Sequence, residues 1–189
     1  MIIQEAYGVK RYQLSGGPAW LHADLFDIEA KAEGDPSRDQ MMDMLQTLLA
    51  DRFQLKVHRE TREDNVYALV VAKGGPKLTP STADKFRIAL HRNTPVDQEG
   101  VDYTIAGQKA TAGQIAERLG DMLLGRPVLD RTGIKGEFDF KVRYATDDNP
   151  DTGPSIFAAV QEQLGLKLEA AKGPIEILVI DQAEKPSGN

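Results

Sequence analysis

Residues 41–72, MMDMLQTLLADRFQLKVHRETREDNVYALVVA, change period part-way, and that change decides the fold class. Met41, Met44, Leu45, Leu48 and Leu49 recur at i, i+3, i+4, i+7 and i+8, the spacing that lines one face of a helix. From Phe53 the period drops to two: Phe53, Leu55 and Val57 alternate with Gln54, Lys56, His58 and Glu60, as a half-buried strand over residues 53–60 requires. The polar residues 61–65 read as a turn. Residues 66–72 are almost uniformly apolar, which puts a second strand centrally in a sheet with both faces covered. Ser37 and Gln40 have capping-box spacing at the helix start, and Lys73-Gly74-Gly75-Pro76 stops the second strand.

The same helix–strand–strand succession is read in residues 115–144 and 156–181. Thr111 and Gln114 form another capping-box pair, and the helix behind them buries Ile115, Leu119, Met122 and Leu123. Residues 126–130 give a short strand, residues 132–136 a turn. In residues 137–144, Phe138, Phe140, Val142 and Tyr144 face in while Glu137, Asp139, Lys141 and Arg143 face out. The last unit has a helix at 155–164 and strands at 166–170 and 175–181. These repeats match in pattern and barely in identity. The fold class is α+β: repeated strand–helix–strand–strand units with helices on one side of a mostly antiparallel or mixed sheet.

Ahead of the first repeat, residues 1–8 read as the end of a helix closed by Gly8. Strands at 12–14 and 26–31 flank the Gly16-Gly17-Pro18 turn, and Phe26, Ile28 and Ala30 form the buried face of the second. Trp20 follows that turn and is expected largely buried, as a lid on the first unit. Residues 77–101 are the most polar stretch, which divides the chain into a first half (1–78), a connection (79–101) and a second half (102–189), whether as two small domains or one compact one. Inside the connection Phe86, Ile88 and Leu90 alternate with Arg87, Ala89 and His91, a short strand returning to a partner at 103–106.

Composition removes several classes of function. With 189 residues, 41% of them hydrophobic, the chain can bury a core without staples. It has no cysteine, which excludes disulfides, thiolate metal sites and a Cys nucleophile. The net charge of −6 arises from scattered mixed signs. Nucleic-acid binding needs a positive stripe to neutralise phosphates, and none exists. Neither apolar run, 67–72 or 177–180, approaches the length that spans a bilayer. No charged, apolar and cleavage regions of a signal peptide open the chain.

No catalytic constellation lies on the scaffold. His22, His58 and His91 never fall at i, i+4 on a helix, and HExxH and GxSxG are missing, so the histidines read as solvated. Asp130-Arg131-Thr132-Gly133 lacks the contiguous Asp-Thr-Gly of an aspartic-protease loop. Asp130, Glu137 and Asp139 are the carboxylates from which an acid–base pair would be drawn, but with 29 carboxylates some approach one another by chance. The glycine clusters are turns, because neither sits between a strand and a helix N-terminus where phosphate would be cradled. Asp147, Asn149 and Asp151 place oxygen ligands at alternate positions, as a calcium loop does. The glycine falls one place late and Ala158 holds the closing position, so a solvated acidic loop is the better reading. No metal and no cofactor are expected.

The segments SGGPAWL (15–21), FDIEAKA (26–32), LLADRFQLKVHRETRE (48–63), YALVVAKGGPKL (67–78), GRPVLDRTGIKGEFDF (125–140), QEQLGLKLE (161–169) and VIDQAEKPS (179–187) follow in an order and spacing that resemble one family. It is the acidobacterial "soli usitatus" family, paralogous soil-bacterial domains of unknown function. The resemblance runs from about residue 8 to residue 186. It implies a secretion leader and a first strand ahead of residue 1, an extracytoplasmic location, and in some members fusion to membrane metallopeptidases of the antirepressor-sensor type. It carries no catalytic residues. Of the positions it covers, Arg52, Arg126, Asp130 and Asp139 are read as a partly buried ion-pair set clamping the units together.

The resulting expectation is a non-enzymatic extracytoplasmic binding or interaction domain for an unidentified protein or peptide. Its docking strand is drawn from Phe86, Arg87, Ile88 and His91, with outward charges that serve either to guard the edge or to rim a bound peptide. A carboxylate hydrolase and a structural module positioning a neighbouring domain are the alternatives.

Overall fold

Residues 56–71 form one unbroken strand where two were expected. The computed structural model describes residues 1–93, 102–146 and 153–186. Its helices are α1 (Ile2–Tyr7), α2 (Trp20–Ala23), α3 (Arg38–Phe53), α4 (Ala112–Leu119) and α5 (Ile156–Leu164). Its strands are β1 (Leu14–Gly16), β2 (Lys56–Val71), β3 (Thr79–Pro80), β4 (Arg87–Arg92), β5 (Asp102–Ala110), β6 (Val128–Asp130), β7 (Phe138–Ala145) and β8 (Leu166–Gln182). The class is α+β, with one mixed and one antiparallel sheet. No described helix is long and apolar enough to cross a membrane.

The chain divides into two nested units. Unit 1 is Met1–Glu63 with Pro174–Asn189, and unit 2 is Asp64–Gly173. Both divisions fall inside strands, β2 and β8. In unit 1, β1 runs parallel to the end of β8, Leu14 opposite Leu178 and Gly16 opposite Ile180. In unit 2, β6 runs parallel to β2, Tyr67 opposite Val128. The strand order of this mixed sheet is β1-β8-β2-β6.

β8 repeats the surprise of β2: residues 166–182 are one strand, with no turn between 170 and 175. The reason is common to both. Val57 of β2 packs in the core of unit 1 and Leu69 in that of unit 2. Leu166 and Leu168 of β8 belong to the second core, Leu178 and Ile180 to the first. Polar residues between two apolar ends mark where a strand passes from one core toward the other. They imitate a turn while the backbone stays extended. The expected helix–strand–strand unit therefore becomes helix then single long strand at α3–β2 and α5–β8.

Unit 1 packs α1 and α3 over the end of β8, with Ile3, Leu49, Phe53 and Leu178 buried. Ser37 caps α3 as expected: its hydroxyl accepts from Gln40 N at 3.3 Å, and Ser37 N donates to Gln40 Oε1 at 2.8 Å. The apolar face of α3 is covered only toward its C-terminus. Met41 and Met44, placed on the buried face by their spacing, are exposed. Residues 26–31 are not a strand, and Phe26 and Ile28 are exposed in irregular backbone. Alternation alone supplies no partner edge. The strand expected at 12–14 is a 3-10 turn (Arg11–Gln13) leading into β1.

Unit 2 also holds the antiparallel sheet β3-β7-β5-β4. Thr111 and Gln114 start α4 with the expected capping box. Ile115 and Leu119 are wholly buried, each contributing about 2–3 kcal/mol of transfer free energy. The side chains of Met122 and Leu123 lie outside the described ones. Phe140, Val142 and Tyr144 of β7 face the core, as expected, with Phe138 half-buried.

Candidate functional site

Unit 1 holds a cavity of about 630 Å³. The Gly16-Gly17-Pro18 turn brings the chain off β1, and Gly17 N donates to Ile180 O at 3.1 Å. α2 then presents Trp20 and Leu21, residues 25–28 add Leu25, Phe26 and Ile28, and the last turn of α3 adds Leu49 and Phe53. Three aromatic rings form the wall: Trp20 stacks on Phe53 at 6.4 Å, while Phe26 meets Trp20 and Phe53 edge-on at 5.7 and 5.8 Å. Trp20 keeps only part of its surface accessible, and that part lines this cavity.

Much of this apolar surface is open to water. Leu25 is 99% exposed. The ionisable side chains at the wall are Arg11, His22 and Asp24. Asp24 is paired with Lys185 at 2.5 Å. The Arg11 guanidinium has no hydrogen bond or ion pair among the described residues.

The expected docking strand sits at the edge of the antiparallel sheet. Among the described residues β4 pairs with β5 alone, Ile88 opposite Gly107, Leu90 opposite Ile105 and His91 opposite Thr104. Ile88 and Leu90 are half-buried against the core of unit 2. Arg87 and His91 lie on the opposite face, over a shallow hollow shared with Gln108, Asp139 and Lys141. Phe86 precedes the strand and is 44% exposed.

The three candidate carboxylates have structural partners. Asp130 Oδ1 accepts from Thr132 N at 2.9 Å and from the Thr132 hydroxyl at 2.7 Å, closing the turn after β6. Asp139 Oδ1 accepts from Lys109 N at 3.1 Å, where Lys109 takes a left-handed φ of 54° at an irregularity in β5. Glu137 lies 3.9 Å from Lys109 Nζ. Glu137 and Asp139 thus meet at Lys109, while Asp130 belongs to the other sheet. Among the described residues no ion pair joins Arg126 to Asp130 or Asp139, as the clamp read from Arg52, Arg126, Asp130 and Asp139 required. Arg126 sits 5.5 Å over the Tyr67 ring, a cation–π contact, and Arg52 is exposed in the last turn of α3.

His58 is exposed on β2, with Nδ1 2.9 Å from both oxygens of Asp181 and Nε2 3.7 Å from Glu60. The Asp181 hydrogen bond holds its pKa above the usual 6.5. Tyr144 is pushed up to about 12, chiefly by burial and then by the neighbouring Tyr103. Among the described residues no cluster of three His, Asp or Glu is placed to hold a metal ion. Asp147, Asn149 and Asp151 lie outside the described residues.

The cavity was missed from sequence because its wall combines α1, the start of β1, α2, an irregular segment, the end of α3 and the chain at residue 183. The signal was an excess of apolar residues without period: Ile2, Ile3, Trp20, Leu21 and Leu25.

Residues 1–183 match the family described as Protein of unknown function (DUF3738), and the chain belongs to that family. No curated protein and no solved structure matches it.

Proposed function

We propose that this DUF3738 chain is a non-catalytic, extracytoplasmic binding domain that holds an apolar ligand in the cavity of unit 1. The observation that carries the reading is the cavity itself. Its volume of about 630 Å³ falls in the range of small-molecule sites, and its wall is apolar and aromatic with a few polar groups. Exposed Leu25, Phe26 and Ile28 form the kind of apolar surface that a monomeric protein keeps when something binds there. The engagement of Asp130 and Asp139 by backbone N–H groups supports binding over hydrolysis.

Trp20, the single tryptophan, lines the site and reports on it. Titration with an apolar fluorescent dye should quench or shift its emission saturably. Ala183→Phe, which narrows the cavity from its wall, should weaken the response several-fold. A linear, non-saturating response from the wild type would sink the reading. The extracytoplasmic location, and kinship with soil-bacterial paralogues sometimes fused to membrane metallopeptidases, rest on the resemblance of the segments quoted above. Fractionation of the native host, with the protein recovered only from the cytoplasm, would refute that location.

A second reading is favoured by the edge position of β4. An unpaired strand edge accepts an extended peptide by strand addition, anchored here along Phe86, Arg87, Ile88 and His91. Lys85, Arg87 and Arg92 are exposed there, which fits an acidic partner. A Glu-rich extended peptide should bind the wild type and be lost on Arg87→Glu with Arg92→Glu. Equal binding by both proteins would leave the charges as a guard against aggregation.

A further inference from the structure

We infer that the unit 1 cavity takes a single-chain amphiphile with an anionic head, of the class of a linear aliphatic carboxylate, with its head at Arg11. This rests on the reading of the cavity as a ligand site. The argument is one of charge balance at an apolar wall. Asp24 is neutralised by Lys185 at 2.5 Å. Arg11 is the permanently charged side chain at the wall with no partner among the described residues, whereas the Met1 ammonium there donates to Gln4 Oε1 at 3.1 Å. A guanidinium binds a carboxylate through two parallel N–H donors, a geometry that a lone ammonium lacks.

The rest of the chain makes this placement selective. With a net charge of −6, the protein as a whole repels an anion, so attraction has to be local. The body of the ligand follows from the wall behind that charge: Trp20, Phe26, Leu49 and Phe53 offer no hydrogen-bonding pattern except the indole N–H, and suit an aliphatic chain. A neutral apolar ligand would leave Arg11 unused. A short charged metabolite would leave the aromatic wall wet.

The test uses dodecanoate below its micellar concentration, read by Trp20 emission at low salt. Dodecanoate should saturate, and decanoate should bind roughly tenfold more weakly, since two methylenes are lost from apolar contact. Dodecanol should bind about fivefold more weakly than dodecanoate, the worth of an exposed charge pair. High salt and Arg11→Gln should each erase that difference. Arg11 is exposed, so Arg11→Gln should leave circular dichroism and melting unchanged and the comparison readable. Equal binding of dodecanol and dodecanoate would overturn the anionic head and leave the cavity reading standing. Failure of both to bind would overturn the two together. Sedimentation with phosphatidylglycerol vesicles without saturable dodecanoate binding would assign the head to a lipid surface and overturn the free carboxylate.

Discussion

His58 on β2 meets Asp181 on β8 with Nδ1 2.9 Å from each carboxylate oxygen, joining across unit 1 two residues 123 apart in sequence. The hydrogen bond favours the imidazolium, so the folded pKa stands above 6.5. The stabilisation it gives is fully present below pH 6.5 and is lost as pH rises through the folded value. An NMR titration should place the His58 midpoint above that of a model peptide, and Asp181→Asn should return it. A midpoint indifferent to Asp181→Asn would show that the contact is not populated in solution.

Tyr144 acts at the other end of the pH scale. Its folded pKa is pushed up to about 12 by burial and by Tyr103, whose ring stacks on it at 5.8 Å. An unfolded tyrosine ionises near pH 10, so between about pH 10 and 12 the unfolded state releases a proton that the folded state keeps. Stability should fall across that window. Tyr144→Phe should flatten the fall, as measured by urea midpoints at pH 9 and 11.

Trp20→Ala should cost about 2 kcal/mol. That is half the usual cost of truncating a fully buried large aromatic, in keeping with a ring that is only partly buried. Urea denaturation checks the number. A loss above about 4 kcal/mol would mean that Trp20 is sealed in after all.

Gly165 closes α5 with a φ of +63°, and a Cβ there would stand 2.0 Å from Gly75 O. Backbone cannot yield as a flexible side chain does, so Gly165→Ala should cost about 2–4 kcal/mol. Gly125 has a similar φ of +56° but open space around it, and Gly125→Ala should cost only about 1 kcal/mol. Similar losses at both positions would locate the penalty in the dihedral alone.

What could be read from sequence was whatever depends on neighbours in the chain. The Ser37–Gln40 and Thr111–Gln114 boxes and the alternation of β7 are local chemistry, and all three stand where they were expected. Residues 61–65 and 171–174 misled because polarity reports solvent, not a change of direction. Residues 26–31 alternate like a strand, yet strand formation needs a free edge, which no pattern within a segment discloses. Met41 and Met44 show the same limit on a helix: spacing names the apolar face but not how much of it will be covered. The cavity depended on separate pieces of chain meeting, so its residues carried no shared period.

The nested division of the chain has a consequence for the order in which the molecule assembles. Gln13 donates to Glu176 O across 163 residues, and β1 finds its partner only in the last strand. Contacts that close so long a loop form late, because the entropy of closure is met before any packing rewards it. Unit 2 is continuous in the chain and can begin on its own. Unit 1 stays unfinished until residues 174–182 have left the ribosome, so a chain stopped at Gly173 should protect the amides of β5 and β7 from exchange while those of α1 and β1 exchange freely.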